Sequence, residues 1–123
     1  MRIGILEDYQ GLGRILQLSL GKAGYTVHTS QTIRDFLAFM TSPTPADLII
    51  VDFRLLAERS EIGISGVDVI RHIRTTFPNL PAILISAVPL ATLENATAGL
   101  SGVKLLQKPF KMATLLETIR MIS

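Results

Sequence analysis

The stretch Asp47-Leu48-Ile49-Ile50-Val51-Asp52 decides the fold. A run of consecutive aliphatic residues closed by a carboxylate is too short for a helix and shows no polar alternation. That is the pattern of a strand buried on both faces of a parallel sheet. Three further runs are built alike: Ile3–Leu6 leads into Glu7-Asp8, Ala82–Ile85 into Ser86, and Val103–Gln107 into Lys108-Pro109. Helix-like segments separate them. In open parallel sheets, ligands bind outside the carboxyl ends of the strands. The pattern therefore predicts that Glu7, Asp8, Asp52, Ser86 and Lys108 converge on one rim. Such a group suits a divalent cation and a phosphoryl group.

Working outward, a helix is expected from about Tyr9 to Lys22, with Leu12, Ile15, Leu16 and Leu20 as its apolar stripe and Gly21 and Gly24 ending it. Tyr25–Thr29 reads as a second strand. A helix from about Gln31 to Met40 buries Ile33, Phe36, Leu37 and Met40, and Pro43 and Pro45 break the chain before Asp47. After Asp52 a loop of mixed charge runs to Ser65. Gly66–Phe77 reads as a helix that buries Val67, Ile70, Ile73 and Phe77, and Pro78 and Pro81 bracket the next turn. Ala91–Ala98 is an Ala- and Thr-rich helix closed by Gly99 and Gly102. The last helix, about Lys111–Met121, buries Met112, Leu115, Leu116 and Ile119. Alternating βα units of this kind predict an α/β three-layer sandwich with right-handed crossovers.

The 123 residues form one domain, 1–123, long enough for a single core. Hydrophobic residues make up 48% and mean hydropathy is +0.43, a composition that excludes a disordered chain. No apolar run approaches the roughly 20 residues of a membrane span. Met1–Leu6 is a strand leading straight to acids, which is not a signal-peptide pattern. Cysteine is absent, so disulfides and thiolate metal sites are excluded. A cytoplasmic protein is expected. The pI of about 9.3 overstates the charge, because the net charge is only +2. The basic residues are scattered and aromatics do not interleave with them, so direct nucleic-acid binding is not expected. His28 and His72 have no partners at metal-ligand spacing, and Phe36, Phe39, Phe53, Phe77 and Phe110 are expected in the core.

Asp52 is the centre of the chemistry. A carboxylate held among other acids and a cation can attack phosphorus and form an acyl phosphate. Crowded with Glu7 and Asp8, it needs either a bound cation or a raised pKa. Mg²⁺ suits such a site, since it takes oxygen ligands and binds through carboxylates together with phosphate oxygens. A single Asp at a strand end usually caps the next helix, and a single Ser or Lys-Pro says no more. The five together carry the reading.

The pieces Ile5-Leu6-Glu7-Asp8, Asp47–Asp52, Ser65-Gly66-Val67-Asp68-Val69-Ile70, Ile85-Ser86-Ala87 and Lys108-Pro109-Phe110 resemble the receiver domain of two-component response regulators over the whole chain. The resemblance implies a flavodoxin-like fold, a five-stranded parallel sheet in the order 2-1-3-4-5 wound on both faces by five helices. It implies that Asp52 accepts a phosphoryl group from a phosphohistidine, the partner being a histidine kinase or a phosphotransfer protein. It further implies that Glu7, Asp8, Asp52 and the backbone carbonyl of Arg54 hold Mg²⁺, and that Ser86 and Lys108 contact the phosphoryl group and transmit its presence. Such a domain is a signalling phosphoacceptor, with at most slow autodephosphorylation, and is not an enzyme.

The chain departs from that family in three places. Leu55–Ser65 lacks the usual Pro and Gly66 comes late, so the loop is longer by about six residues. The switch aromatic, three residues before the Lys, is Leu105. The segment between Ser86 and Gly99 carries only Glu94 as a charge, and Leu90, Leu93 and Leu105 are expected to form an apolar patch. That patch, on the face from the fourth helix to the fifth helix, would serve an output partner or a second copy of the chain. Other readings stay open. A phosphatase working through an aspartyl phosphate needs a second acid two residues past the nucleophile, where Arg54 stands. An interaction module without phosphorylation draws on the long loop and Leu105. The chain is expected to be either a stand-alone receiver or the regulatory part of a longer, DNA-binding regulator.

Overall fold

The runs of aliphatic residues do form the centre of the molecule. The computed structural model describes residues 1–55 and 65–123. Its elements are β1 (Arg2–Leu6), α1 (Gln10–Lys22), β2 (Thr26–Ser30), α2 (Ile33–Met40), β3 (Leu48–Asp52), α3 (Gly66–Ile73), β4 (Ala82–Ser86), α4 (Leu90–Ala96), β5 (Val103–Gln107) and α5 (Met112–Ile122). The five strands form one sheet in the order β2-β1-β3-β4-β5, every pair parallel. Fold class and strand order are those expected from the sequence.

Side-chain alternation splits the core in two. Along β3, Leu48 and Ile50 join Ile3, Ile5, Ile83 and Ile85 on the face covered by α1 and α5, through Leu16, Leu20, Leu115 and Ile119. Ile49 and Val51 point the other way, to Ile33, Phe36 and Met40 of α2, Ile70 of α3 and Leu93 of α4. Central strands with apolar residues on both sides require cover on both sides, which is why the sheet is doubly wound.

Several details differ from the sequence reading. Ile15 is 56% exposed and Leu12 only partly buried; the line facing the sheet is Gly13, Leu16 and Leu20. Helical residues advance by about 100°, so Ile15 lies well off the line that Leu16 and Leu20 define. α3 stops at Ile73, leaving Phe77 half-buried in the following turn. Pro78 disfavours helical backbone just before it. The expected patch of Leu90, Leu93 and Leu105 is not a surface patch: Leu93 is 0% exposed, Leu105 packs on the same core, and Leu90 alone stands out at 46%. A helix as short as α4 anchors itself through its one sheet-facing leucine, with Ala96 one turn on.

Arg74 was not singled out from the sequence, yet it clips three segments together. Its Nε and Nη2 donate to the Leu80 carbonyl at 3.2 and 2.8 Å, Nη2 also to the Gly102 carbonyl at 3.1 Å, and Nη1 to the Ser101 carbonyl. The end of α3 is thereby tied to the approaches of β4 and β5. No described helix is long and apolar enough to cross a membrane.

Candidate functional site

Parallel pairing brings the strand ends level. Leu6 pairs with Val51, Asp52 with Ile85, and Ser86 with Gln107, so the next residues of each strand leave the sheet along one edge. Backbone bonds hold that edge: Phe53 N donates to Ile85 O at 2.8 Å, Lys108 N to Ser86 O at 2.7 Å, and Glu7 N to Ser30 O at 3.1 Å. Glu7, Asp8, Asp52, Ser86 and Lys108 line one cavity of about 420 Å³ with Tyr9, Arg54, Ala87 and Val88. All five residues chosen from the sequence meet there.

Glu7, Asp52 and Ser86 are buried, and Asp8 lies partly open at the rim. Carboxylate oxygens of Glu7, Asp8 and Asp52 lie within 4.8 Å of one another. The Lys108 ammonium sits 2.7 Å from Glu7 Oε1 and 3.5 Å from Asp52 Oδ2. Tyr9 N donates to Glu7 Oε2, and Arg54 N to Asp52 Oδ1, both at 3.3 Å. Burial, then the hydrogen bond and negative charge of Glu7, push the Asp52 carboxyl up to about 7. Burial also acts to raise Glu7, but the hydrogen bond with Asp52 and the Lys108 ammonium outweigh it and hold Glu7 below the ordinary value. The two carboxyls titrate as a coupled pair, and burial together with the charge of Glu7 favours the proton on Asp52.

The donor set fits Mg²⁺. It consists of oxygens alone, its carboxylates are crowded enough that charge must be relieved, and the cavity opens to solvent at Asp8. Arg54 also lines this cavity. Phe53 O accepts from Gly66 N at 2.8 Å and Arg54 pairs with Ser65 in an antiparallel bridge. In this pattern the bonds flank the bridged residues, so the N–H and C=O of Arg54 itself turn away from Ser65. Its N–H already reaches Asp52 on that side.

Gly66 is required by contact. A Cβ there would lie 2.3 Å from the Asp52 carbonyl oxygen and 2.9 Å from its carbonyl carbon, closer than any side chain tolerates. Ser65 caps α3 through a reciprocal pair with Asp68, so the helix starts at that contact. The loop between Leu55 and Ser65 otherwise lies outside the described residues, but its flanking residues Arg54 and Ser65 are paired with each other beside the acidic cavity.

Ser86 Oγ accepts from Val88 N at 3.1 Å, and Gln107 Nε2 donates to Val88 O at 2.9 Å. Gln107, Tyr9 and Gly66's contact were not singled out as site features from the sequence. The Ser65-x-x-Asp68 spacing is the signal that locates the Gly66 end of the loop. The histidines stay outside the cavity, His28 stacking on Phe39 at 4.0 Å.

Residues 3–120 match the response regulator receiver domain family. Among curated proteins, the chain is 32% identical over 123 residues to the probable transcriptional regulatory protein SilR of Salmonella typhimurium, covering 98% of this chain and 50% of that protein. It is 31% identical to the transcriptional regulatory protein CusR of Escherichia coli K12, with the same coverage. The chain thus spans about half the length of these relatives. Among solved structures, the receiver domain of NtrX from Brucella abortus superposes with a TM-score of 0.85 at 20% identity, covering 98% of this chain and 96% of that one. A response regulator receiver protein from Sinorhizobium medicae gives 0.84 at 24% identity, covering 99% and 93%. At such identities the likeness is one of fold.

Proposed function

The chain belongs to the response regulator receiver domain family, and from that premise we propose that Asp52 is its phosphoacceptor. One observation supports this most: a carboxylate buried at a central strand end, with an ammonium 3.5 Å away and acids beside it. An Asp52 carboxylate oxygen attacks the phosphorus of a phosphohistidine. The P–N bond breaks with its electron pair left on the imidazole nitrogen, and an acyl phosphate forms. A proton held on Asp52 passes to solvent first, because the carboxylate is the nucleophile. Glu7, Asp8, Asp52 and the Arg54 carbonyl would hold Mg²⁺, which would supply positive charge to offset the phosphoryl oxygens. Lys108 pairs with one such oxygen, sharing or leaving Glu7. The Ser86 hydroxyl accepts from Val88 and keeps its own proton to donate to another.

The domain comprises residues 1–123 and works as a signalling phosphoacceptor in the cytoplasm, without catalysis of its own beyond slow autodephosphorylation. Its phosphodonor is a histidine kinase or phosphotransfer protein. Ile15 and Leu18, exposed at 56% and 61% on the helix that follows the acid pair, offer an apolar footing for it. Output runs through the α4-β5-α5 face to a partner or a second copy, Leu90 on α4 and Met121 on α5 being exposed apolar residues of these elements.

Intact mass after incubation with acetyl phosphate and Mg²⁺ tests the reading. One phosphoryl group should appear on the wild type and none on Asp52→Asn. Equal labelling of both would remove Asp52 from the role.

A further inference from the structure

β5 turns three residues toward α4, Leu105 among them at the position of the missing switch aromatic. Along this strand Val103, Leu105 and Gln107 point to one face and Lys104 and Leu106 to the other. Leu106 packs with the α1 and α5 core, while Val103 and Leu105 pack with the α4 core. Leu105 has no polar atom, so it fills space against the core that includes Leu93 and makes no hydrogen bond through its side chain. Gln107, one step further along the same row, donates its amide to the Val88 carbonyl.

Val88 is therefore fastened at both ends of its backbone. Its N–H is taken by the Ser86 hydroxyl and its C=O by Gln107. Val88 also lines the acidic cavity and is itself buried. Ser86 and Val88 line the same cavity as Asp52, so a phosphoryl group there that drew in the Ser86 hydroxyl would also shift Val88. The bond to Gln107, rooted in the sheet through the Ser86–Gln107 pairing, resists that shift.

We propose that Gln107 is a positioning residue, a latch that holds the β4–α4 loop in its unphosphorylated place and is released when Ser86 engages the phosphoryl group. This rests on the phosphoacceptor reading of Asp52. The latch takes over, through a hydrogen bond, the control of loop position that Leu105 cannot exert.

The tests are Gln107→Met, which keeps length and loses the donor, and Gln107→Ala. A neutral hydrogen bond is worth about 1 kcal/mol net, equivalent to about fivefold in an equilibrium. Both variants should bind beryllofluoride with Mg²⁺ about fivefold more tightly than wild type, by NMR titration. In the unliganded protein, amides 87–93 should exchange with solvent about fivefold faster. A purely structural role would lower thermal stability and leave beryllofluoride affinity unmoved. Unchanged or weaker affinity, or unchanged exchange, overturns the latch. If wild type itself binds no beryllofluoride, the phosphoacceptor reading fails, and exchange in the unliganded protein still decides whether Gln107 holds the loop.

Discussion

Replacing Asp52 by Asn should stabilise the metal-free protein, and more so at pH 8 than at pH 5. The Asp52 carboxyl is pushed from its ordinary 3.8 up to about 7, by burial first and by Glu7 second. Its proton is thus held more tightly in the folded chain than in the unfolded one. Between those two values the native state binds more protons, so stability falls as pH rises, and above about 7 the full penalty of the buried charge is present. At about 1.4 kcal/mol per pH unit, the ceiling is on the order of 4 kcal/mol. That value is already net of the attraction of Lys108 at 3.5 Å, and Lys108 keeps Glu7 at 2.7 Å in the variant. Asn does not reproduce every hydrogen bond of the protonated carboxyl, so part of the gain is lost. An Asn oxygen still accepts from Arg54 N. We therefore expect a net gain of about 1–2 kcal/mol at pH 8. Glu7 titrates in the opposite sense, its stabilisation lost only as pH falls below its unfolded value of 4.5, outside the window used. Urea denaturation in EDTA at pH 5, 6.5 and 8 measures the difference. A destabilised Asn variant at pH 8, or a gain that is the same at all three pH values, would refute the reasoning.

Three more outcomes are expected. Millimolar Mg²⁺ should raise the melting temperature, more at pH 8 than at pH 6 because the Asp52 proton competes with the cation, and Asp8→Ala should abolish most of the rise in a thermal melt. Gly66→Ala should cost about 3 kcal/mol and slow phosphorylation by acetyl phosphate, since its Cβ meets the Asp52 backbone at 2.3 Å. Leu93→Ala should cost about 2–5 kcal/mol by denaturant melt, while Leu90→Ala should cost under about 0.5 kcal/mol, which separates the buried leucine from the exposed one.

The strands were legible because a central parallel strand must be apolar on both faces, and Leu48–Val51 admits no other reading. The rim residues were legible for the same reason: once strand ends are known, Glu7, Asp52 and Ser86 follow by position. Ile15 and Leu93 were harder. Periodicity gives the angle between residues along a helix but not which line turns inward, and Leu16 with Leu20 outweighed Ile15. Arg74 and Gln107 were hidden because both bond to carbonyls supplied by distant segments, 6 to 28 residues away for the one and 19 for the other. No local spacing announces such contacts. The Ser65-x-x-Asp68 cap was in plain view, yet the contact behind it, glycine against the backbone of Asp52, exists only once the sheet is assembled.

The Arg54–Ser65 bridge has a practical consequence. Where two flanks of an insertion are stapled at its root, the length between them is largely decoupled from what lies below the staple. Lengthening a connection costs only about 0.6 kcal/mol per doubling. Changes of length between Leu55 and Ser65 should therefore leave Asp52 in register, held there by Gly66 and the bridge, which makes that interval the place to graft a fluorophore or an epitope.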